Sequence, residues 1–395
     1  MAGISALGTT YNLPNYTGVL FGLTPADTPF FSAIGGLTGG MQTTSTEFEW
    51  QTYDLRDASQ PAILEGADAP ALTGRARANV TNVCQIHHSA LGVSYTKLAA
   101  VGQHNGANIE ATNPVRAELD WQVAQELKAM ARDINFSFLQ GTYQKPSDNS
   151  TARKTRGLLA AITTNVVTAE TLVGDGGSTW ADVGELITEA NHGLVVGDRV
   201  RIAITSGATG ATSGFYYVKT VPSSSTFTVS ATKGGAVQAV TADGTADVFK
   251  QNPVSVAKLG DLLQSVYDNG GISEQGTATV IVNSAAKRQI TTAYGELFGK
   301  FMETSRTVGG VAVDTIVTDF GVLNVMLDRH MPQGTLAVAS LEQCSPVFLE
   351  VPSKGHFFAE PLAKTGATDR AQIYGEVGLA YGSEKAHGKL TGLFF

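Results

Sequence analysis

The sequence predicts an α+β protein that carries a small all-β barrel or sandwich as an insertion. Apolar residues recur at helical spacing over residues 113–140 and again over 254–267, and residues 277–282 read as a buried strand. Residues 165–250 differ in composition from the rest of the chain. They are rich in Gly, Ser, Thr and Val, and their pattern predicts short strands separated by turns. Helices that alternate with strands around such a module favour a central sheet covered by helices.

Composition favours an assembly subunit over a monomer. The chain has 395 residues, enough for two or three domains, and 43% of them are hydrophobic. Only 16% are charged, below the usual quarter, so we expect much of the surface to be buried against other subunits. The alternative is a monomer rich in Gly, Ala and Thr. The net charge of −8 argues against tight wrapping of nucleic acid but allows the protein to enclose it.

Cysteine usage and hydropathy indicate a protein made in the cytoplasm. Cys84 and Cys344 are too few and too far apart for a disulfide framework or a zinc site, so we expect reduced thiols. No apolar run approaches the roughly 20 residues of a membrane span, and the first residues lack the pattern of a signal peptide. We therefore expect no membrane partner.

The first 45 residues predict an extended arm with apolar anchors. Prolines and paired glycines interrupt any long helix there. Phe30 and Phe31 are candidate contacts to a neighbouring subunit, and packing on the arm's own domain is the alternative. The other end of the chain, at Phe394 and Phe395, is also apolar and is a second candidate contact.

Residues 46–97 predict two long strands joined by an open tip. Residues 46–53 alternate apolar and polar, and 78–95 are rich in Val, Thr and Ile. The connection at 54–77 is long for a compact domain, which is typical of functional or mobile segments. A solvated hairpin is the alternative to a contact with a neighbour. The charged candidates for pairing with a neighbouring subunit are Glu65, Asp68, Arg75 and Arg77.

Residues 113–140 form the clearest helix. Asn113 suits the N-cap, Pro114 suits the first helical position, and Gly141 suits the end. Its length would be roughly 40 Å, with a single apolar stripe facing a sheet or helix. Further helices are predicted at 254–267 and 284–294. Strands are predicted at 201–205, 214–220, 226–231, 277–282, 310–317, 322–327, 335–339 and 371–381.

No pattern in the sequence supports an enzyme, a metal site or a cofactor. Neighbouring residues of a strand point to opposite faces, so His87 and His88 cannot chelate one ion. His192 and Asp198 suggest a dyad, but a turn with a backbone-capping Asp is the simpler interpretation. Cys84 lies in a strand without a positive neighbour to activate it. We expect the aspartates at 314, 319 and 328 to be solvated.

The order of parts resembles the major capsid proteins of tailed bacteriophages with the Hong Kong 97-like fold. The likeness covers about four fifths of the chain, all but the insert, which itself resembles small β-modules of phage structural proteins. The segments that carry it are Thr24-Pro25, Thr28-Pro29-Phe30-Phe31, Phe48-Glu49-Trp50, Asn113–Gln140 and Thr279-Val280-Ile281-Val282-Asn283.

The resemblance implies a division of the chain and a function. It implies self-assembly into an icosahedral shell of hexamers and pentamers around double-stranded DNA, in a virion assembled in the host bacterial cytoplasm. Portal and scaffolding proteins, and a decoration protein, are the implied further partners. The implied parts are an N-terminal arm (1–45), an extended loop (46–97), a peripheral domain (98–164) with its spine helix at 113–140, the inserted β-domain (165–250), an axial domain (251–345) and return strands (346–395).

Two departures from this family change the expectations. Some members join subunits through a lysine in the extended loop, but residues 49–96 contain no lysine, so we expect no such cross-link. Some members begin with a helical scaffolding region, whereas this sequence starts with the arm, so a separate or removed scaffold is expected.

Two other functions remain open. One is an encapsulin-like compartment shell. The other is a phage surface or tail protein whose β-module binds glycans through Trp180, Tyr216 and Tyr217, although such aromatic residues are more often core.

Overall fold

The computed structural model describes residues 26–55, 58–69, 74–99, 118–272, 278–298, 315–364 and 366–394. The first 25 residues, the predicted cap at Asn113 and Pro114, the start of the strand predicted at 310–317, and Phe395 lie outside them. Among the described helices, none is long and apolar enough to cross a membrane.

The described chain forms six α-helices, two short 3₁₀ turns (Leu341–Gln343 and Glu384–Ala386) and twenty strands. The helices are α1 (Pro29–Ala33), α2 (Tyr95–Ala99), α3 (Glu118–Gln140), α4 (Leu158–Ala161), α5 (Val256–Asp268) and α6 (Ser284–Phe298). The strands are β1 (Met41–Thr43), β2 (Glu47–Tyr53), β3 (Arg77–Val83), β4 (Gln85–Ser94), β5 (Val166–Thr168), β6 (Thr171–Leu172), β7 (Ser178–Trp180), β8 (Ile187–Thr188), β9 (Arg199–Gly207), β10 (Gly214–Ser223), β11 (Thr226–Ser230), β12 (Gly244–Lys250), β13 (Ala278–Val282), β14 (Thr315–Thr318), β15 (Gly321–Leu327), β16 (Leu336–Ser340), β17 (Ser345–Leu349), β18 (Phe357–Pro361), β19 (Thr368–Ala380) and β20 (Gly388–Thr391).

A six-stranded mixed sheet in the order β14-β15-β13-β16-β20-β5 lies between two hydrophobic cores. Successive residues of a strand point to opposite faces. Val280 and Val338 therefore enter the core under α5 and α6, while Ile281 and Ala337 enter the core under α3. Burial on both faces explains why β13 is apolar at every position except Thr279.

The two helices on this sheet, α5 and α6, both begin at side-chain caps. The Ser255 hydroxyl oxygen accepts a hydrogen bond from the backbone N–H of Lys258 at the start of α5. The Asn283 side-chain oxygen accepts one from the backbone N–H of Ala286, 2.7 Å away, at the start of α6. Each cap satisfies one of the donors that a helix start leaves unpaired.

A second, five-stranded sheet is organised around the long strand β19. β17 and β18 pair with successive halves of one edge of β19, β4 pairs with the other edge, and β1 joins β17 in parallel. Helix α3 packs against this sheet with the C-terminal half of its predicted stripe, including Ile134 and Phe138. The helix predicted from the sequence is therefore present over its described part.

The two strands predicted within 46–97 form only part of a hairpin. β2 and β3 pair in antiparallel register from Glu47↔Val83 to Tyr53↔Arg77. The second predicted strand, 78–95, is broken at Cys84, and its second half pairs with β19 instead. We call β2, β3 and their connecting residues 54–76 the ribbon. It ends at Val83, earlier than the sequence suggests, because β4 belongs to the five-stranded sheet.

Residues 171–250 form a closed barrel with its own core. β9, β10, β11, β8, β7 and β12 pair in turn, β12 pairs back with β9, and β6 adds to β12. The module predicted from the sequence begins at residue 165, but β5 pairs in parallel with β20 and thus lies in the six-stranded sheet. The largest core side chains are Trp180, Ile187, Tyr216 and Phe227.

Candidate subunit-contact surfaces

The end of the N-terminal arm lies in the core of its own protomer. Phe30 and Phe31 are 0% and 2% exposed and pack with Ile134 and Phe138. The Phe31 and Phe138 rings meet edge to face, with centroids 5.6 Å apart. In the protomer Phe30 and Phe31 therefore pack on their own domain, which is the alternative to the predicted contact with a neighbouring subunit. We call the segment Pro29–Ala33 the arm anchor.

A buried polar network holds the arm anchor in place. The backbone N–H of Phe31 donates to the Asn135 side-chain oxygen at 2.8 Å. The Asn135 amide nitrogen donates to Asp328 at 2.9 Å and lies 2.8 Å from His330 Nδ1. Asp328 also accepts from the backbone N–H groups of Phe30, at 3.4 Å, and His330, at 2.8 Å. The network therefore connects the arm, the long helix and the six-stranded sheet.

Neither this network nor the burial of Asp328 is predicted from the sequence. Asp328 was expected to be solvated, yet its side chain is fully buried. A buried carboxylate is tolerated when several donors surround it, and here they come from sequence positions about 30 and 135. The only sequence signal is its position directly after an apolar strand. Asp319, by contrast, is exposed as expected, and the residue at 314 lies outside the described part.

The base of the ribbon is fixed to the body by aromatic contacts. The indole N–H of Trp50 donates to the Gly382 carbonyl oxygen at 2.7 Å, and its ring meets Tyr381 edge to face at 4.9 Å. Phe48 stacks on Trp50 and lies so close to Gly378 that a Cβ there would approach its ring to 2.6 Å. This base is therefore a rigid support for the rest of the ribbon.

The outer part of the ribbon is exposed in the protomer, and Asp54 at its start pairs with Lys385 at 2.8 Å. Every described residue from Tyr53 to Ala69 is exposed, including Ile63 at 64% and Leu64 at 85%. An exposed apolar cluster on a projecting segment is typical of a surface that another protein covers. Arg77 donates to the Gln51 side-chain oxygen at 2.9 Å within the ribbon. The other charged candidates, Glu65, Asp68 and Arg75, are all exposed.

The C-terminal segment lies against the barrel. Phe394 is half-buried, its backbone N–H donates to the Asn252 carbonyl oxygen at 3.1 Å, and its ring lies 6.3 Å from that of Tyr217. This candidate contact is thus partly occupied by its own chain, and Phe395 lies outside the described residues. Two nearby contacts tie the barrel to the body: Arg201 Nε donates to Glu170 at 2.8 Å, and Asn252 donates to the Ala169 carbonyl oxygen at 2.8 Å.

The candidate catalytic residues have structural roles instead. His192 Nδ1 accepts from the backbone N–H of Leu194, while Asp198 accepts from Val195 and pairs with Lys250 at 2.7 Å, so the two do not form a dyad. Burial, and next to it the nearby Glu376 charge, raises the pKa of the Cys84 thiol to about 12. A neutral thiol at that position is a poor nucleophile.

The histidine pair also behaves as the strand geometry predicts. His87 is buried and His88 is exposed, on opposite faces of β4. Burial lowers the pKa of His87 to about 4. Among the described residues, no group of three or more His, Cys, Asp or Glu side chains is arranged to hold a metal ion.

The aromatic residues weighed for glycan binding are mostly core residues. Trp180 is fully buried and meets the buried Tyr216 edge to face at 5.9 Å inside the barrel. Only Tyr217 lies on the outer face of the barrel, where it is half-buried. The structure therefore removes two of the three aromatic residues on which that function depended.

Comparison with known proteins identifies the family. A family model described as SU10 major capsid protein matches residues 3–394. Similar solved structures include the capsid asymmetric unit of cyanophage A-1(L), 12% identical with a TM-score of 0.55 over 99% of both chains. The capsid of the native GTA particle is 13% identical with a TM-score of 0.51, covering 100% of this chain and 99% of that one. A Mycobacterium phage Bobi chain is 9% identical with a TM-score of 0.51 over 99% of both. No curated protein sequence matches the chain.

Proposed function

The chain belongs to the SU10 major capsid protein family, and on this premise we propose that its copies join through the ribbon into an icosahedral shell of hexamers and pentamers. As a major capsid protein it is a structural protein, not an enzyme, and its copies form the shell of the capsid. The observation that carries the proposal is the exposed apolar tip of the ribbon, Ile63 and Leu64, on a rigid base.

Within this proposal the protein has the Hong Kong 97-like fold. Residues 1–45 are the arm, the loop assigned to 46–97 reaches over an adjacent subunit, and α3 is the spine of the peripheral domain. The six-stranded sheet with α5 and α6 lies in the axial domain, near the symmetry axes. The strands of the last fifty residues belong to both sheets, and the pairing of β17, β19 and β20 supports this assignment.

The barrel is the inserted domain and projects outward from the shell. The chain enters and leaves it at adjacent points, where Asn252 bonds to Ala169, so the module extends from the body on one narrow connection. Closure of the barrel through the β12–β9 pairing leaves only the two-residue strand β6 as an edge among the described strands, so little free sheet edge is available to disturb assembly. An outward barrel is also the natural place for a decoration protein to bind.

The shell encloses double-stranded DNA of a tailed phage without gripping it, since the chain carries a net charge of −8. Portal and scaffolding proteins are the expected assembly partners, in the cytoplasm of the host. Family membership favours this function over an encapsulin-like compartment. Glycan binding by the barrel lacks support, because Trp180 and Tyr216 are buried.

Electron microscopy of the purified protein, with light scattering on the same sample, tests the proposal. We expect closed icosahedral particles, or rings of five and six subunits, when the protein is produced with its scaffolding partner. Only monomers, dimers or trimers under those conditions would contradict it. A boiled reducing gel of the shells should show single chains, because residues 49–96 contain no lysine for a cross-link. A ladder of multimers would refute that part.

A further inference from the structure

A cavity of 550 Å³ lies where the barrel meets the body. One wall is the outer face of the barrel strands β9, β10 and β12, and the other is formed by residues 333–335 and 391–393. The function proposed above does not use this cavity. Its lining combines two arginines, two phenylalanines and a buried glutamine.

The strand pattern explains why two arginines face the cavity. Val200 and Ile202 point into the barrel core, so Arg199 and Arg201 point outward. Arg201 lies 4.1 Å from the centre of the Phe249 ring, and its Nε donates to Glu170. The opposite charges of Arg201 and Glu170 therefore compensate each other.

Arg199 is differently placed. Its guanidinium carbon lies 4.6 Å from the centre of the Phe215 ring and 5.9 Å from that of Tyr217. The Nε atom is buried and has no hydrogen-bond partner among the described residues. The aromatic rings favour the cation by cation–π attraction but accept no ordinary hydrogen bond from it.

Gln251 supplies the complementary group. Its side chain is 4% exposed, and its Oε1 atom is buried without a partner among the described residues. The backbone N–H of Gln251 donates to the Arg199 carbonyl oxygen at 3.0 Å, so the two residues are neighbours across the strands. Both residues line the cavity, and each has one buried polar atom without a partner among the described residues, which native proteins rarely allow.

We propose that this cavity binds a carboxylate that carries an N–H donor nearby, as in an acidic amino-acid residue. The planar guanidinium of Arg199 pairs with a carboxylate in a defined plane, and the Gln251 oxygen accepts the N–H. Phe215 covers the apolar part of the ligand. Two sources offer this chemistry: a free acidic amino-acid derivative, or an Asp or Glu side chain of a neighbouring copy of this chain.

Calorimetric titration of the unassembled full-length chain with the α-amide of N-acetyl-L-glutamic acid tests the site. We expect saturable binding with a Kd of about 1 mM, and binding at least about tenfold weaker for the neutral N-acetyl-L-glutamine amide, whose loss of charge removes the pairing. Absence of saturable binding by the acidic probe, or equal binding of both probes, would overturn the proposal without bearing on shell formation.

Variants locate the binding to this cavity. Arg199→Gln and Gln251→Leu should each weaken binding of the acidic probe about tenfold, which is the effect of one lost hydrogen-bonded contact. Arg199→Lys keeps the charge without the planar fork and should also weaken it, so the test survives if Arg199→Gln fails to fold. Arg329→Gln is the control, because Arg329 is exposed and pairs with Asp27 away from the cavity. Unchanged binding by both Arg199 variants would overturn the site.

A second titration on assembled shells distinguishes the two sources. If a neighbour's carboxylate fills the cavity, shells will not bind the probe while free chains do. If the ligand is a free molecule, shells and free chains will bind it alike. Both results support a carboxylate site.

Discussion

The arm anchor and the ribbon tip carry similar apolar side chains in opposite environments. Phe30 and Phe31 are completely enclosed by their own chain, whereas Ile63 and Leu64 are exposed to solvent in the protomer. The difference does not come from hydrophobicity but from what lies beneath each segment. The anchor lies on a helix and a sheet that offer both an apolar surface and hydrogen-bond acceptors. The ribbon tip extends past its aromatic base and has no such support.

This comparison separates residues that stabilise the fold from residues that we propose stabilise the shell. Replacing an anchor residue should lower the free energy of unfolding of the single chain. Replacing a ribbon-tip residue should leave that free energy almost unchanged and affect association only. We expect the loss in free energy of unfolding to be largest at the arm anchor and smallest at the ribbon tip.

Phe30→Ala should destabilise the folded chain most. Removing a fully buried aromatic side chain leaves a cavity and lowers the free energy of unfolding by about 3–5 kcal/mol. Urea unfolding of the unassembled chain measures this. Phe136→Ala is the matched control, since Phe136 is exposed on α3 and should change the value by about 0.5 kcal/mol. Similar losses from both variants would remove the distinction between anchor and surface.

His87 should make stability depend on pH at the place where the ribbon joins the body. Burial lowers its pKa to about 4 in the folded chain, below the ordinary value of 6.5, so the unfolded chain binds the proton more tightly. Its contribution is complete above pH 6.5 and is lost as the pH falls toward 4, by about 3 kcal/mol in total. Urea unfolding at a series of pH values measures the slope.

His87→Leu should flatten the pH dependence between 6.5 and 4. His88→Gln, on the exposed face of the same strand, is the control and should keep the wild-type slope. An unchanged slope in His87→Leu would show that other groups cause the acid sensitivity.

Asn135→Ala should weaken the arm anchor by an intermediate amount. It removes the acceptor of the Phe31 N–H and one donor to the buried Asp328, which is worth about 1–3 kcal/mol. Urea unfolding gives the loss, and hydrogen exchange of the Phe31 amide should become faster. Asn149→Ala, at an exposed loop position, should have no measurable effect. An Asn135→Ala chain as stable as wild type would mean that the network does not hold the anchor.

Local features were predictable from the sequence, whereas contacts between distant segments were not. The helix over 118–140, the helices α5 and α6 and the strands of the barrel follow from spacing and turn residues. The pairing of β4 with β19 joins segments nearly 300 residues apart, and nothing in 78–95 signals a break at Cys84. The burial of Asp328 is not predicted for the same reason, since the groups that donate hydrogen bonds to it come from other parts of the chain.

Prediction from the sequence has the same limit at the arm anchor and at the ribbon tip, the two apolar candidates for subunit contacts. Apolar residues in a proline- and glycine-rich arm and in an open loop both suggest a partner. Only the three-dimensional structure shows that the arm anchor is covered by α3 and that the ribbon tip is not. The cavity at Arg199 could not be predicted from the sequence either, because its walls come from the barrel and from the chain near residues 333 and 392.

The double substitution Ile63→Ser and Leu64→Ser should have the smallest effect on folding. Both side chains are exposed in the protomer, so we expect the free energy of unfolding to change by about 0.5 kcal/mol or less. A larger loss would mean that the ribbon tip packs on its own chain. Val195→Ser with Val196→Ser, exposed on the barrel, is the control for removing two surface apolar side chains.

Electron microscopy of the Ile63→Ser, Leu64→Ser double variant, under conditions in which the wild-type protein forms shells, tests the central claim most directly. We predict folded, unassembled chains for this variant and normal shells for the barrel control, because in the proposed shell the ribbon tip contacts a neighbouring subunit and the barrel surface at Val195 and Val196 does not. Shells of the ribbon variant at wild-type yield would contradict the claim that this surface joins the subunits.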